Sequence, residues 1–344
     1  MRHHWLKATG ETVKLGAIDR TDPPVLTIES GDEVSVETWS GWGNAIDETS
    51  TLDDVLRHAA TLGEQGPHDL TGPIAISGAR QGQVLRVDVL DLKPSPHATN
   101  LVVPGAVGVG LLPEQFPEGS LRHYELDLEA MSVELFPGLR APLIPFLGFM
   151  AVAPPDDGPH NSIPPGRHGG NIDLKDLVEG STLYLPIWND GALFYAGDGH
   201  ALQGNGEVDV TALEVGMEEA RLRLSVLDRP PLELPRAETA TAWITLGFGN
   251  SLDEAARQAT RAMIALIVEL TDLILELLGC RPGSVQLSVL ERRADLSSQA
   301  LEVLSLLALQ TILPSRRADR TIDFVQGGHG PTDDTGRRRR GRAG

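Results

Sequence analysis

The spacing of apolar and polar residues predicts β-strands over most of the chain before residue 250. Residues 84–92 read VLRVDVLDL and residues 220–226 read ARLRLSV, so apolar and polar side chains alternate as in a strand with one buried face. Residues 25–36 predict two strands around a turn at Ser30-Gly31-Asp32. Residues 143–153 form a continuous apolar run, which is typical of a strand buried on both faces.

Three other stretches follow a helical period. In residues 52–62, apolar or small side chains recur on one side of a helix. A long helix is predicted over 252–278, because its apolar positions keep helical spacing throughout and because Ser251 and Glu254 form a capping box at its start. A shorter helix is predicted over 297–309.

The order of these elements predicts the fold class and four parts of the chain. Strands followed by helices favour a β-dominated α+β protein over an alternating βαβ protein. We expect an N-terminal β-rich part over 1–155 and a central β part with the candidate site loops over 156–248. A helical part over 249–314 and an Arg-rich tail over 315–344, predicted to be disordered, complete the chain.

The charge of the chain narrows the range of partners. The formal net charge is −19, and five of the arginines lie in the tail at 337–342, so the body is more acidic still. Like charge repels nucleic acid and anionic membranes, and we expect neither as a partner. The sequence begins without the apolar run of a signal peptide, and its lone cysteine, Cys280, excludes an intrachain disulfide framework. These features predict a cytoplasmic protein.

Two glycine-rich clusters concentrate the polar chemistry. They lie at 168–173, HGGNID, and at 198–207, DGHALQGNGE, on either side of a strand-like segment at 181–188. Glycine allows the backbone to approach a small ligand closely. Histidine and carboxylate together supply the groups that metal binding or proton transfer requires. We therefore expect the functional site in these loops.

Histidine nitrogen and carboxylate oxygen are also the ligands of a divalent metal, with Zn²⁺ as the first candidate. We predict His68, Asp198 and His200 as ligands, because Asp198 and His200 are two residues apart and would project to the same side of a strand. Among the histidines alone, His168 and His200 are the best ligand candidates and His68 is the third. We assign His168 to the catalytic residues. The alternative is that these histidines cap loops and hydrogen-bond to backbone carbonyl groups.

The two clusters and their flanks resemble the acetamidase/formamidase family. The matching residues read PGRHGGNID at 165–173, GSTLYLP at 180–186, GDGHA at 197–201, QG at 203–204 and GE at 206–207, with HDLTGPI upstream at 68–74. The similarity extends more weakly over residues 15–314. It implies a hydrolase that releases ammonia from short aliphatic amides, a sandwich-like β domain with smaller β and α/β parts, and a homo-oligomer. The chain departs from the family pattern at Asn205 and at 208–211, beside the site, which puts the substrate in doubt more than the reaction.

Amide hydrolysis needs a polarised carbonyl group, an activated attacking group and a proton for the departing amine. No G-x-S-x-G nucleophile motif occurs, so water activated by a metal or a carboxylate is expected to attack. We predict Glu207 as the general base, at the start of a strand predicted over 208–213. Asp173 is the alternative base, a ligand, or a group that orients His168. The predicted substrate contacts are Gly170, Asn171 and Gln203.

Two other functions are compatible with the same residues. A hydrolase of small cyclic amides (lactams) would use the same water attack in a differently shaped pocket. A β-rich protein that binds a sugar or metal without turnover would use the glycine loops alone. The apolar stripe of 252–278 and the apolar loop at 100–118 also predict self-association of this chain.

Overall fold

A hydrophobic cluster joins two large β-sheets in the computed structural model, which describes residues 1–63 and 65–277. Val34 and Val87 extend into this cluster from one sheet, and Ile74 and Phe194 extend into it from the other. Two sheets that bury apolar faces against each other form a sandwich. The β-dominated α+β class with a sandwich-like body and a long helix after it is therefore confirmed.

Short strands make up most of the structure. In chain order they are β1 (His3–Leu6), β2 (Val13–Leu15), β3 (Ala17–Ile18), β4 (Leu26–Ile28), β5 (Asp32–Val36), β6 (Asp69–Ile76), β7 (Val84–Pro94), β8 (His97–Val102), β9 (Ser120–Asp127), β10 (Ser132–Phe136), β11 (Leu139–Pro142), β12 (Phe146–Ala151), β13 (His160–Asn161), β14 (Gly169–Asn171), β15 (Thr182–Pro186), β16 (Phe194–Leu202), β17 (Leu213–Glu214), β18 (Met217–Leu227), β19 (Arg236–Glu238) and β20 (Trp243–Thr245). The helices are α1 (Leu52–Leu62) and α2 (Leu252–Leu277), and three short 3₁₀ turns lie at Trp42–Asn44, Gly105–Val107 and Asn205–Glu207.

Among the described residues, the first sheet has the strand order β1-β5-β18-β7-β15-β19-β20. The second has the order β11-β10-β9-β8-β17-β16-β12-β14, and β6 pairs with β16, β2 and β4 beside this path. β12 is buried along its whole length because it lies in the interior of the second sheet, as its continuous apolar sequence predicts. Strands from 1–155 and from 156–248 alternate within both sheets, so these two parts share one core.

The predicted strand over 208–213 is wrong. A 3₁₀ turn occupies Asn205–Glu207, and β17 contains only Leu213–Glu214. The backbone enters the left-handed region at Gly206 (φ 77°), Glu207 (φ 43°) and Val210 (φ 53°), which a strand does not tolerate. The side chain of Glu207 therefore projects from a tight turn. The backbone angles of this turn set the direction of the side chain, and the spacing of apolar residues does not predict them.

Helix α2 packs on the end of the first sheet. The hydroxyl of Ser251 accepts a hydrogen bond from the backbone N–H of Glu254 at 3.2 Å, so half of the predicted capping box is present. Arg236 on β19 forms two hydrogen bonds with Glu269, at 2.9 and 3.1 Å, and is itself buried. The residues that end this helix, the helix predicted over 297–309 and the 315–344 tail lie outside the described residues. None of the described helices is long and apolar enough to cross a membrane.

Candidate active site

The candidate site is built around His200, which is 1% exposed on β16. Strand register places His200 opposite Phe146 on β12 and opposite Glu214 on β17. The ring meets Phe146 edge-on, with 4.9 Å between ring centroids. The imidazole therefore has an apolar wall on one side and acidic neighbours on the other.

Gln203 determines the tautomer of His200. The side-chain Nε2 of Gln203 donates to the backbone carbonyl oxygen of Asp173 at 3.0 Å, and Oε1 of Gln203 lies 2.9 Å from Nδ1 of His200. Because a carbonyl oxygen only accepts, the amide nitrogen of Gln203 must face Asp173 and its oxygen must face His200. Nδ1 of His200 therefore carries the proton, and Nε2 faces the carboxylates.

Four carboxyl groups surround His200. Its Nε2 lies 3.1 Å from Oε2 of Glu214 and 3.5 Å from Oδ2 of Asp198. Ligand atoms of Asp173, Asp198 and His200 lie within 4.8 Å of one another, and so do those of His200, Glu207 and Glu214. The predicted geometry of Asp198 and His200, on one side of a strand, is thus present. We call these five residues the acid cluster.

A glycine makes room for the acid cluster. Gly148 on β12 lies opposite Asp198, and a side chain at this position would overlap Oδ2 of Asp198 and come within 2.6 Å of Oδ1 of Asp173. Oδ1 of Asp173 is buried and has no hydrogen-bond partner in the described structure. Since buried polar atoms are normally satisfied, this oxygen is a candidate donor to a bound ligand.

The backbone is strained at three members of the cluster. Asp173, Asp198 and Glu207 have φ values of 47°, 55° and 43°, in the left-handed region that non-glycine residues rarely adopt. Such strain persists only where the surrounding structure fixes it, and it concentrates at functional sites. Here it directs three carboxyl groups of different chain segments toward one imidazole.

Burial and mutual repulsion separate the protonation states of the carboxyl groups. Burial, with the charges of Glu207 and Asp198, raises the pKa of Asp173 well above its ordinary value. Burial, with the charges of Glu214 and Asp198, raises the pKa of Glu207 to about 8. For Asp198, burial is outweighed by the charges of His200 and His68, which lower its pKa to about 2.

The same carboxylates stabilise the protonated form of His200. Burial alone would lower the pKa of His200, but Glu214 and Asp198 raise it well above 6.5. One imidazolium cannot balance four carboxylates, so Asp173 and Glu207 retain protons instead. A divalent cation would supply the positive charge that the cluster lacks.

The other predicted histidines have separate positions. His68 lies beside the cluster, where its charge lowers the pKa of Asp198, but it belongs to neither set of close ligand atoms. Its Nδ1 is 2.7 Å from Oγ of Ser162. His168 is 8% exposed and belongs to neither set of close ligand atoms. Its ring meets His160 edge-on at 5.8 Å. Burial, with His160, lowers the pKa of His168 to about 4, so this side chain is neutral at pH 7.

The three predicted substrate contacts differ in whether their polar groups are free to bind a substrate. Asn171 on β14 has a buried Oδ1 without a partner, so this acceptor is free to bind a ligand. Both ends of the Gln203 amide bond protein atoms, so Gln203 orients His200. Gly170 has φ 100° and lies over His168, where a side chain would come within 3.3 Å of the ring.

Sequence reasoning missed Glu214 and Gly148. Glu214 stands alone in the apolar run Ala212-Leu213-Glu214-Val215, and an isolated acid among buried residues is a signal that could have identified it. No local pattern indicates that Gly148, inside the apolar β12, lies opposite Asp198. That information comes only from the pairing of β12 with β16.

The chain belongs to the acetamidase/formamidase family, because residues 20–162 and 158–229 match the model of that family. This confirms the resemblance carried by residues 165–207. The chain is 27% identical over 297 residues to a formamidase of Methylophilus methylotrophus, an alignment that covers 69% of this chain and 72% of the relative. It is 23% identical over 252 residues to an acetamidase of Mycolicibacterium smegmatis, covering 56% of this chain but 61% of that protein's length.

Solved structures agree with this assignment. The chain superposes on an acetamidase of Bacillus halodurans with a TM-score of 0.67 and 32% identity, over 77% of this chain and 84% of the other. An acetamidase of Yersinia enterocolitica gives a TM-score of 0.68 and 29% identity, over 77% and 80% of the two chains. A γ-lactamase of Delftia acidovorans shares the fold, with a TM-score of 0.62 and 21% identity over 76% of this chain and 82% of the other.

The role of Gly148 can be tested by substitution. In Gly148→Ala the added methyl group would displace Asp198 and Asp173, so we expect the folded variant to lose any divalent ion and at least about tenfold in activity. Gly204→Ala is the matched control, because nothing lies within 4 Å of that position. Elemental analysis measures the ion content of each variant, circular dichroism checks its fold, and an ammonia assay measures its activity. A folded Gly148→Ala protein with its full ion content would contradict this description of the site.

Proposed function

We propose that this protein hydrolyses the C–N bond of short aliphatic amides, of the formamide or acetamide type, and releases ammonia. The observation that carries the proposal is the cluster of four partly buried acids around the buried His200, in a chain of the acetamidase/formamidase family. Two carboxyl groups with raised pKa values, Glu207 and Asp173, lie in one buried site. Such groups can exchange protons with substrate near neutral pH.

We further propose that the acid cluster holds one divalent ion, with Zn²⁺ as the first candidate. The donor set fits, because it offers one imidazole nitrogen fixed in direction by Gln203 and carboxylate oxygens of Asp198 and Glu214. The unpartnered Oδ1 of Asp173 adds a further donor. When bound, a divalent ion would polarise the amide carbonyl group and acidify water.

The chain's own groups then account for the proton movements. Once a cation offsets the negative charge of the cluster, Glu207 is ionised and accepts a proton from the attacking water, which adds to the amide carbon. The same carboxyl group then donates that proton to the amide nitrogen as the C–N bond breaks. Oδ1 of Asn171 accepts a hydrogen bond from the N–H₂ group of the substrate and holds the nitrogen in place. We assign no proton transfer to His168, which lies outside the acid cluster.

An amide panel tests the reaction. Purified protein is incubated with formamide, acetamide, propionamide and a small lactam, and both ammonia and ring-opened product are measured. We expect ammonia from the short linear amides. Ring opening of the lactam without ammonia release would show that the reaction is lactam hydrolysis instead. If the ion-loaded protein turns over none of these substrates, the protein binds a ligand without catalysis.

The general base is tested at Glu207. Glu207→Gln keeps the shape of the side chain but cannot accept the proton, so we expect kcat to fall by about 10²–10⁴-fold with little change in KM. The control is Glu218→Gln, an exposed acid on β18. If Glu207→Gln stays within a few-fold of wild type while Asp173→Asn is inactive with its ion bound, the base is Asp173.

We also propose that the protein forms a homo-oligomer through an apolar patch beside the site. Val107 and Phe116 are 57% and 59% exposed in the loop that was predicted to self-associate. A hydrogen bond connects that loop to the segment after Glu207, because the N–H of Leu111 donates to the carbonyl oxygen of Val208 at 2.8 Å. The side chain of Val208 is 45% exposed as well. Contiguous exposed apolar surface is typical of interfaces.

Light scattering tests this assembly. We expect wild-type protein to have the mass of an oligomer at micromolar concentration and Phe116→Asp to have a lower mass, because a charge would be buried at the interface. Phe136→Asp is the matched control, a 51% exposed phenylalanine on β10 outside this loop. A monomeric mass for the wild-type protein would rule the assembly out.

A further inference from the structure

We propose that Ser162 is a positioning residue, which fixes the ring of His68 so that its Nε2 faces the acid cluster and adds a second imidazole ligand to the proposed ion. This inference rests on the proposed function, because it assumes that the cluster binds a divalent ion. Sequence patterns did not single out Ser162, which lies in the irregular segment before the first glycine-rich cluster.

The contact between the two side chains is short and protected from water. Oγ of Ser162 lies 2.7 Å from Nδ1 of His68, and Ser162 is 1% exposed. The two residues are 94 positions apart in the chain, so tertiary structure alone brings them together. A hydrogen bond of this length, shielded from competing water, holds an imidazole ring in one orientation.

The backbones of His68 and Ser162 both form hydrogen bonds with the same glycine, Gly16. The N–H of Gly16 donates to the carbonyl oxygen of His68 at 2.9 Å, and the N–H of Ser162 donates to the carbonyl oxygen of Gly16, also at 2.9 Å. Gly66 completes the arrangement, because a side chain there would overlap Oγ of Ser162. The hydroxyl group is thus placed by backbone hydrogen bonds and by a glycine that leaves room for it.

Strand register places His68 beside the cluster. Leu70 on β6 pairs with Gly197 on β16, so the chain at His68 runs alongside Asp198 and the residues that follow it. The ring of His68 lies 6.4 Å from that of Phe149, on the strand next to β16. With Nδ1 engaged by Ser162, Nε2 is the nitrogen available to a ligand in the site.

His68 and His200 are held by the same kind of contact. In His200, Nδ1 donates to the neutral oxygen of Gln203, which leaves Nε2 for the cluster. In His68, Nδ1 meets the neutral oxygen of Ser162. Metal-binding histidines usually donate their other ring N–H to a fixed acceptor, which sets the tautomer and the ring direction. The structure places one buried neutral side-chain oxygen against Nδ1 of each imidazole, and we assign the acceptor role to both oxygens.

The test measures Zn²⁺ affinity of the full chain by competition with a chromophoric chelator after removal of bound metal. We expect Ser162→Ala to remain folded and to bind Zn²⁺ about 10–100-fold more weakly than wild type. The matched control is Ser181→Ala, which removes another buried hydroxyl group, one that donates to the carbonyl oxygen of Val178 at 2.6 Å. This control should bind Zn²⁺ as wild type does.

A double-mutant cycle separates positioning from general damage. If Ser162 acts through His68, Ser162→Ala should have no further effect on Zn²⁺ affinity in a His68→Ala background. Ser162→Cys, which keeps the shape but accepts hydrogen bonds weakly, should lie between wild type and Ser162→Ala, and it replaces the alanine variant if that variant does not fold. Absorption of the Co²⁺-loaded protein should change in Ser162→Ala but not in Ser181→Ala.

The outcomes distinguish this inference from the proposed function. Wild-type affinity in Ser162→Ala or in His68→Ala would overturn the positioning role and leave the ion site standing. An equal loss from Ser162→Ala with and without His68 would overturn it too, because Ser162 would then act on the fold. A wild-type protein that binds no divalent ion would overturn the ion site itself.

Discussion

The close packing of four partly buried carboxyl groups around one buried imidazole is the constraint on which the rest of the site depends. Like charges in a buried region raise the free energy of the folded protein unless protons or a cation neutralise them. The neighbouring carboxylates raise the pKa of His200, and burial raises the pKa values of Asp173 and Glu207, so bound protons offset part of the negative charge of the cluster. A divalent ion would replace those protons, which is why the same residues suit both ion binding and proton transfer.

The fold tolerates this cluster because the paired strands of the second sheet hold its members in place. β16 is paired on both sides along the segment that carries Asp198 and His200, and glycine at 148 leaves the space that their side chains need. Backbone strain at Asp173, Asp198 and Glu207 is offset by the surrounding structure. The unpartnered Oδ1 of Asn171 is the acceptor that we propose for the N–H₂ group of a short amide.

Sequence predicted the parts of the site that lie close together along the chain. Asp198 and His200 are two residues apart, and this spacing predicted that they would face one site, although Asp198 adopts a left-handed φ of 55° that the spacing does not predict. Glu214, Gly148 and Ser162 belong to the site through strand register and hydrogen bonds between distant segments, which local patterns do not encode. The strand predicted over 208–213 failed for a related reason, since positive φ angles at Glu207 and Val210 depend on tertiary contacts. His168 shares a motif with Asp173 but is buried outside the cluster.

The central claim is that the acid cluster exchanges its protons for a cation. Calorimetric titration of metal-stripped protein with Zn²⁺, repeated in buffers of different ionisation enthalpy, counts both the ions bound and the protons released. The account predicts about one ion per chain with release of at least about one proton, because His200 and the protonated carboxyl groups must lose protons to become ligands. A protein that hydrolyses amides yet binds no divalent ion, or binds one without releasing protons, would contradict it.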